Sequence, residues 1–115
     1  AGGMILLERL WQEQGLQWDT LNVTEACRTE NDTIAAVASG TADAAPGLQA
    51  LAVQFGLGFV PTQTENFDVM VCRKAWFEPP FQRLLAFTRT AAFKTKARQF
   101  AGYDTTALGT VVWNA

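Results

Sequence analysis

Apolar residues at Ile5, Leu6, Leu7, Leu10 and Trp11 recur at intervals of three and four, and Gly15 follows them. That period belongs to an amphipathic helix with a glycine stop, so the pattern predicts a helix over residues 4–14. After the turn-like 15–19 stretch, Leu21-Asn22-Val23-Thr24 alternates and is β-branched, which predicts a short strand. Thr29, Asn31, Asp32 and Thr33 crowd the front of a second helix carrying Ile34, Ala35, Val37 and Ala38, with Gly40 as its stop. Ala42 to Ala45 reads as a buried strand broken by Pro46-Gly47, and Leu48, Leu51, Ala52 and Phe55 make a third helix ending at Gly56.

The second half continues in the same manner. Leu57 to Val60 reads as a strand, and Phe67, Val69 and Val71 alternate with Asp68, Met70 and Cys72 in the next. Glu78-Pro79-Pro80 opens a helix holding Phe81, Leu84, Leu85 and Thr88, because proline is tolerated in a first turn. Thr90 can cap a further helix with Phe93, Ala97 and Phe100 before Gly102, and the tail from Tyr103 ends in the strand-like Val111-Val112-Trp113. Helices alternating with short strands predict an α/β fold in a single domain over residues 1–115.

Length and composition narrow the functions. A chain of 115 residues, 49% hydrophobic and 17% charged, suits one globular core and is too apolar for a disordered segment. Its longest apolar runs, such as Met4 to Leu7 and Val69 to Cys72, fall far short of the roughly 20 residues of a membrane span. The start Ala1-Gly2-Gly3-Met4 lacks the marks of a signal peptide, so the chain reads as a cytoplasmic segment of something longer. With no histidine and only Cys27 and Cys72, neither a triad nor an ordinary zinc site can be assembled. Two basic residues face nine acidic ones up to Asp68, a balance of −7, and seven face two beyond it, a balance of +5. Such asymmetry raises the question of nucleic acid, but Arg83, Arg89, Lys94, Lys96 and Arg98 show no reading motif and suit a solvated helix face.

Four pieces in succession carry a resemblance. The run from Val37 through Ser39-Gly40-Thr41-Ala42-Asp43-Ala44-Ala45-Pro46-Gly47-Leu48 to Ala52 is followed by Gly56-Leu57-Gly58-Phe59-Val60-Pro61. Glu65-Asn66-Phe67-Asp68-Val69-Met70-Val71 and Ala101-Gly102-Tyr103-Asp104-Thr105 come next. Together they resemble the periplasmic-binding-protein-like domain found after winged-helix modules in molybdate-type regulators and at the end of molybdopterin biosynthesis proteins. The resemblance implies a type 2 fold of two α/β lobes around a cleft, with this chain as the second, three-layer αβα lobe on a mixed sheet. It further implies molybdate or tungstate as ligand with no cofactor, a first lobe of the same protein as partner, and DNA contact only through an upstream domain. The family's helix-opening turn offers hydroxyls where Gly2 and Gly3 stand, and its classical molybdate lobes carry a tyrosine where Pro46-Gly47-Leu48 stands.

The candidate ligand residues follow from how an oxyanion is held. Free amides at a helix N-terminus donate to its oxygens, helped by the macrodipole, and glycine permits close approach, which singles out Gly2, Gly3 and Met4. Asn31 and Thr33 stand at a second helix mouth, where capping is the ordinary role and Asp32 repels an anion. Ala45, Pro46 and Gly47 follow a predicted strand, the place where α/β sheets put ligands, or make a tight connection only. Tyr103, the one tyrosine, can reach a cleft or cap the core. Cys27 and Cys72 read as buried apolar groups, and Asp43 and Asp68 show no spacing for an acid and base pair, so no catalytic residue and no metal site is expected. Two other readings stand beside an oxyanion sensor. One is an accessory domain of a molybdopterin biosynthesis enzyme acting by packing, and the other a LysR-type effector domain binding an organic acid. Apolar surface left by an absent lobe also suggests self-association.

Overall fold

The computed structural model describes residues 2–114. Among the described residues six α-helices follow one another: α1 Gly2–Glu13, α2 Glu30–Ala38, α3 Gln49–Gln54, α4 Arg73–Trp76, α5 Pro79–Thr88 and α6 Ala91–Arg98, with a 3₁₀ turn at Trp18–Thr20. Residues up to Val60 form one compact unit and those from Pro61 a second.

Within the first unit, α1 ends in a Schellman motif: the Gly15 N–H donates to Gln12 O at 2.9 Å and the Leu16 N–H to Trp11 O at 3.1 Å. Gly15 adopts φ 71°, a left-handed conformation that glycine takes without a Cβ penalty. Trp11 Nε1 then donates to Gln17 O at 3.1 Å and ties the helix to the 3₁₀ turn. The α2 N-terminus is capped by Thr29, whose hydroxyl accepts from the Asp32 N–H at 3.1 Å. Helices α2 and α3 pack together, and Ile34 and Ala52, each 4% exposed, are the buried apolar residues among those described in this unit.

In the second unit α5 packs against both α4 and α6, around a buried Leu85. Aromatic pairs mark both contacts. Trp76 of α4 lies 5.2 Å from Phe81 of α5, and Phe87 of α5 meets Phe93 of α6 edge-on at 5.6 Å. The Gln82 side chain donates to the Trp76 carbonyl, and Thr90 caps α6 by accepting from the Phe93 N–H at 3.2 Å.

The helices predicted over 4–14, from Thr29 to Gly40, from Leu48 to Gly56, from Glu78 and from Thr90 are all present. The expected α/β architecture is not. No strand occurs among the described residues, so the three-layer αβα lobe with a mixed sheet is corrected to an all-helical arrangement. Leu21 to Thr24, Ala42 to Ala45, Leu57 to Val60, Phe67 to Cys72 and Val111 to Trp113 all lie outside both helix and strand. β-branched alternation fits a residue to a pleated surface but creates no ladder, and these segments have no paired neighbour. Most of their side chains stay in solvent, Phe67 at 95% and Met70 at 97% exposure, while Leu21, Ala42, Ala45, Leu57 and Val71 are half-buried. Cys27 and Cys72, expected to be buried, are exposed free thiols, because the strands that were to cover them do not form.

Candidate functional site

Gly2, Gly3 and Met4 form the first turn of α1, where the leading amides of a helix have no intrahelical acceptor. No acidic side chain stands in that turn, so the positive end of the dipole is not neutralised locally. A Cβ on Gly3 would meet Pro46 Cβ at 3.6 Å and Cγ at 3.7 Å, so the mouth of α1 adjoins the 45–47 turn. That turn is seated in its own right: Ala45 and Pro46 are half-buried, and a Cβ on Gly47 would collide with Ile34 Cδ1 of α2. Two of the sequence-derived candidate groups are thereby brought side by side, one in the first turn of α1 and the other in the turn before α3.

The mouth of α2 is differently furnished. Thr29 already occupies the Asp32 amide, and the Thr33 hydroxyl donates to the Thr29 carbonyl at 3.0 Å. Glu30 and Asp32 lie in the same first turn and oppose an anion, while Asn31 is exposed. Capping therefore accounts for this cluster.

Tyr103 belongs to the second unit. It lines a groove of about 350 Å3 with Phe93, Lys96, Ala97, Phe100 and Thr105. Lys96 Nζ stands 5.5 Å from the centre of the Phe100 ring. Beside the groove, Asp104 Oδ1 accepts from the Thr106 N–H at 3.0 Å and from its hydroxyl at 2.8 Å. Those two donors, the backbone one foremost, hold the Asp104 carboxyl below its ordinary 3.8. The spacing of Phe93, Ala97 and Phe100 predicts a helix face, and that of Lys96 a solvated one.

Among the described residues no group of three His, Cys, Asp or Glu side chains could hold a metal ion, and no helix is long and apolar enough to cross a membrane. The model of a PBP superfamily domain matches residues 1–89, the greater part of the chain. This chain belongs to the PBP superfamily. The matched stretch contains α1, α2 and the 45–47 turn, whereas the Tyr103 groove lies beyond it. Membership makes this PBP-superfamily chain a small-ligand-binding domain, like the periplasmic-binding-protein-like modules its sequence resembles. No curated protein and no solved structure matches it.

Proposed function

We propose that this PBP-superfamily domain binds a compact tetrahedral oxyanion, molybdate or tungstate, at the mouth of α1. The carrying observation is the nearness of Pro46 to Gly3, close enough that a Cβ there would touch it at 3.6 Å, which brings the first turn of α1 beside the 45–47 turn. An anion there accepts hydrogen bonds from Gly2, Gly3 and Met4 with the helix dipole behind them, needing no cationic side chain. Gly3 carries no Cβ to obstruct it, and the Pro46 ring stands beside it. The domain acts as the second lobe of a two-lobed sensor in a cytoplasmic regulator or molybdenum-cofactor protein. Ligand bridging the lobes favours the closed state by contacts made only there, and DNA contact falls to an upstream module. No chemical step is involved.

The test is the melting temperature of the protein carrying this domain during titration with molybdate, tungstate, sulfate and phosphate. A ligand that binds only the native state adds about 2.7 kcal/mol at a hundredfold excess over its dissociation constant. Gly3→Pro removes one amide at a position where proline is tolerated, since α5 of this chain carries Pro79 and Pro80 in its own first turn. Stabilisation by molybdate or tungstate that Gly3→Pro abolishes is the expected result. No shift with any of the four anions overturns the reading.

A further inference from the structure

Between residue 61 and the start of α4 the second unit runs without helix, turn or bend. Among the described residues, those from 65 to 71 make no hydrogen bond, so their main-chain donors and acceptors stand open on both sides. None of them is proline, and every one keeps its N–H. In an extended segment Phe67, Val69 and Val71 share one face and Asp68, Met70 and Cys72 the other. Phe67 is 95% exposed, Val69 66% and Met70 97%, whereas Val71 is half-buried. The segment ends in extended backbone at Cys72, with φ −61° and ψ 134°, immediately before α4. Open main-chain groups flanked by exposed apolar side chains are a template for pairing with another chain.

We propose that residues 66–72 pair with the same residues of a second copy of this chain, antiparallel, about a two-fold axis at Val69. Each copy keeps its helices, and the ladder exists only between the copies. Charge selects both the partner and the register. With the axis at Val69, Glu65 of each copy stands opposite Arg73 of the other, so two opposite-charge pairs close the ends of the ladder. Arg73 is exposed at the start of α4, and one of its terminal nitrogens donates to Asn114 Oδ1 at 3.1 Å, which leaves the rest of the guanidinium for Glu65. The same axis sets Phe67 opposite Val71, an aromatic and β-branched pair, and brings the most exposed ring of the segment onto a half-buried residue. Other registers are poorer. An axis at Asp68 sets that carboxylate against its own copy, and one at Met70 sets Phe67 against Arg73 and separates the charges. An axis between two residues places Phe67, Val69 and Val71 of one copy on the face that holds Asp68, Met70 and Cys72 of the other. None of the residues assigned to the oxyanion takes part.

The test combines hydrogen exchange of the whole chain over a range of concentrations with cross-linking that reads the register. A two-stranded ribbon is marginal by itself, so association is expected to be a concentration-dependent equilibrium. Exchange at residues 66–72 should slow at least tenfold between the dilute and the associated chain. Residues directly opposite one another hold their Cβ atoms about 4.5–5.5 Å apart, near enough for a disulfide after a small adjustment. The proposed axis sets Asn66 opposite Cys72, an exposed free thiol, and on the other face from Glu65. In a Cys27→Ser background, mild oxidation of Asn66→Cys should give at least fivefold more covalent dimer than Glu65→Cys, with peptide mapping joining position 66 to Cys72 of the second copy. A chain that stays monomeric overturns the proposal, as does association that leaves exchange at 66–72 unchanged. Protection that is the same at every concentration overturns it too, because the segment is then covered within its own chain. Equal yields from the two cysteine variants, or disulfides joining other positions, overturn the register and the proposal with it.

Discussion

Two glycines a few ångströms from the proposed oxyanion site respond oppositely to a methyl group. At Gly47 an added Cβ would meet Ile34 Cδ1 and Cγ1, so the Ile34 side chain, 4% exposed, must turn to admit it. Gly47→Ala should therefore destabilise the first unit by about 1–3 kcal/mol, the usual cost of overpacking. At Gly3 the contacts are ordinary van der Waals ones, 3.6 and 3.7 Å, within a helix where alanine is preferred by about 0.5–1 kcal/mol. Gly3→Ala should leave stability unchanged or slightly raised, and urea denaturation of the two variants compares them directly. Asp104 offers a third single-residue test. Donation by Thr106 favours the charged form in the folded chain, so its contribution is complete above 3.8 and is lost as pH falls through the lowered native value. Carboxyl resonance titration should place Asp104 below 3.8, and Thr106→Ala should return it towards that value. The sequence exposed Gly3 through its place at a helix mouth and Gly47 through its place after a predicted strand, which does not form. It did not expose their partners, because contacts such as Gly47 with Ile34 join residues that no local period relates.

Whether an element could be read in advance depended on whether its stabilising interactions are local. Helix α1 closes on Gly15 and α3 on Gly56, where the Gly56 N–H donates to Val53 O at 3.1 Å and the Leu57 N–H to Ala52 O at 2.8 Å. These bonds span a few residues, and so do the Thr29 and Thr90 caps. Substituting such a cap with alanine typically costs about 1 kcal/mol. Thr29→Ala and Thr90→Ala should each lower stability by about that much, whereas Thr24→Ala, whose hydroxyl donates only to the next residue's carbonyl, should change little. Far-UV circular dichroism during urea unfolding gives all three values. Strands gain their stability from a neighbour, and the alternation at Phe67 to Cys72 contains no information about whether that neighbour exists. The four residues of α4 are too few to show a period, and their ends rest on the Trp76 and Phe81 contact.

For the whole molecule the central fact is how little apolar surface leaves water. Nearly half the residues are hydrophobic, yet among the described residues only Ile34, Ala52 and Leu85 form the buried apolar core. Val60 at 80%, Phe67 at 95%, Met70 at 97% and Trp113 at 79% exposure remain solvated. Each Å² of apolar surface withdrawn from water contributes about 25 cal/mol, and a net charge of −2 provides little repulsion between copies. Concentration-dependent association is the expected outcome, and sedimentation velocity should show the average mass rising with concentration. Two driving forces are available. Residues up to Val60 carry seven acidic and two basic side chains and those from Pro61 seven basic and four acidic, so opposite charges on two copies could also attract. Salt separates them. Apolar association persists or strengthens in sulfate, while attraction between exposed charges fades as the screening length falls to about 3 Å at 1 M. The exposures favour the apolar cause, so association should survive high salt, and Phe67→Lys with Met70→Lys should shift the chain towards monomer without altering either helical unit. Dissociation by salt alone, with the double variant still associating, would assign the contact to charge.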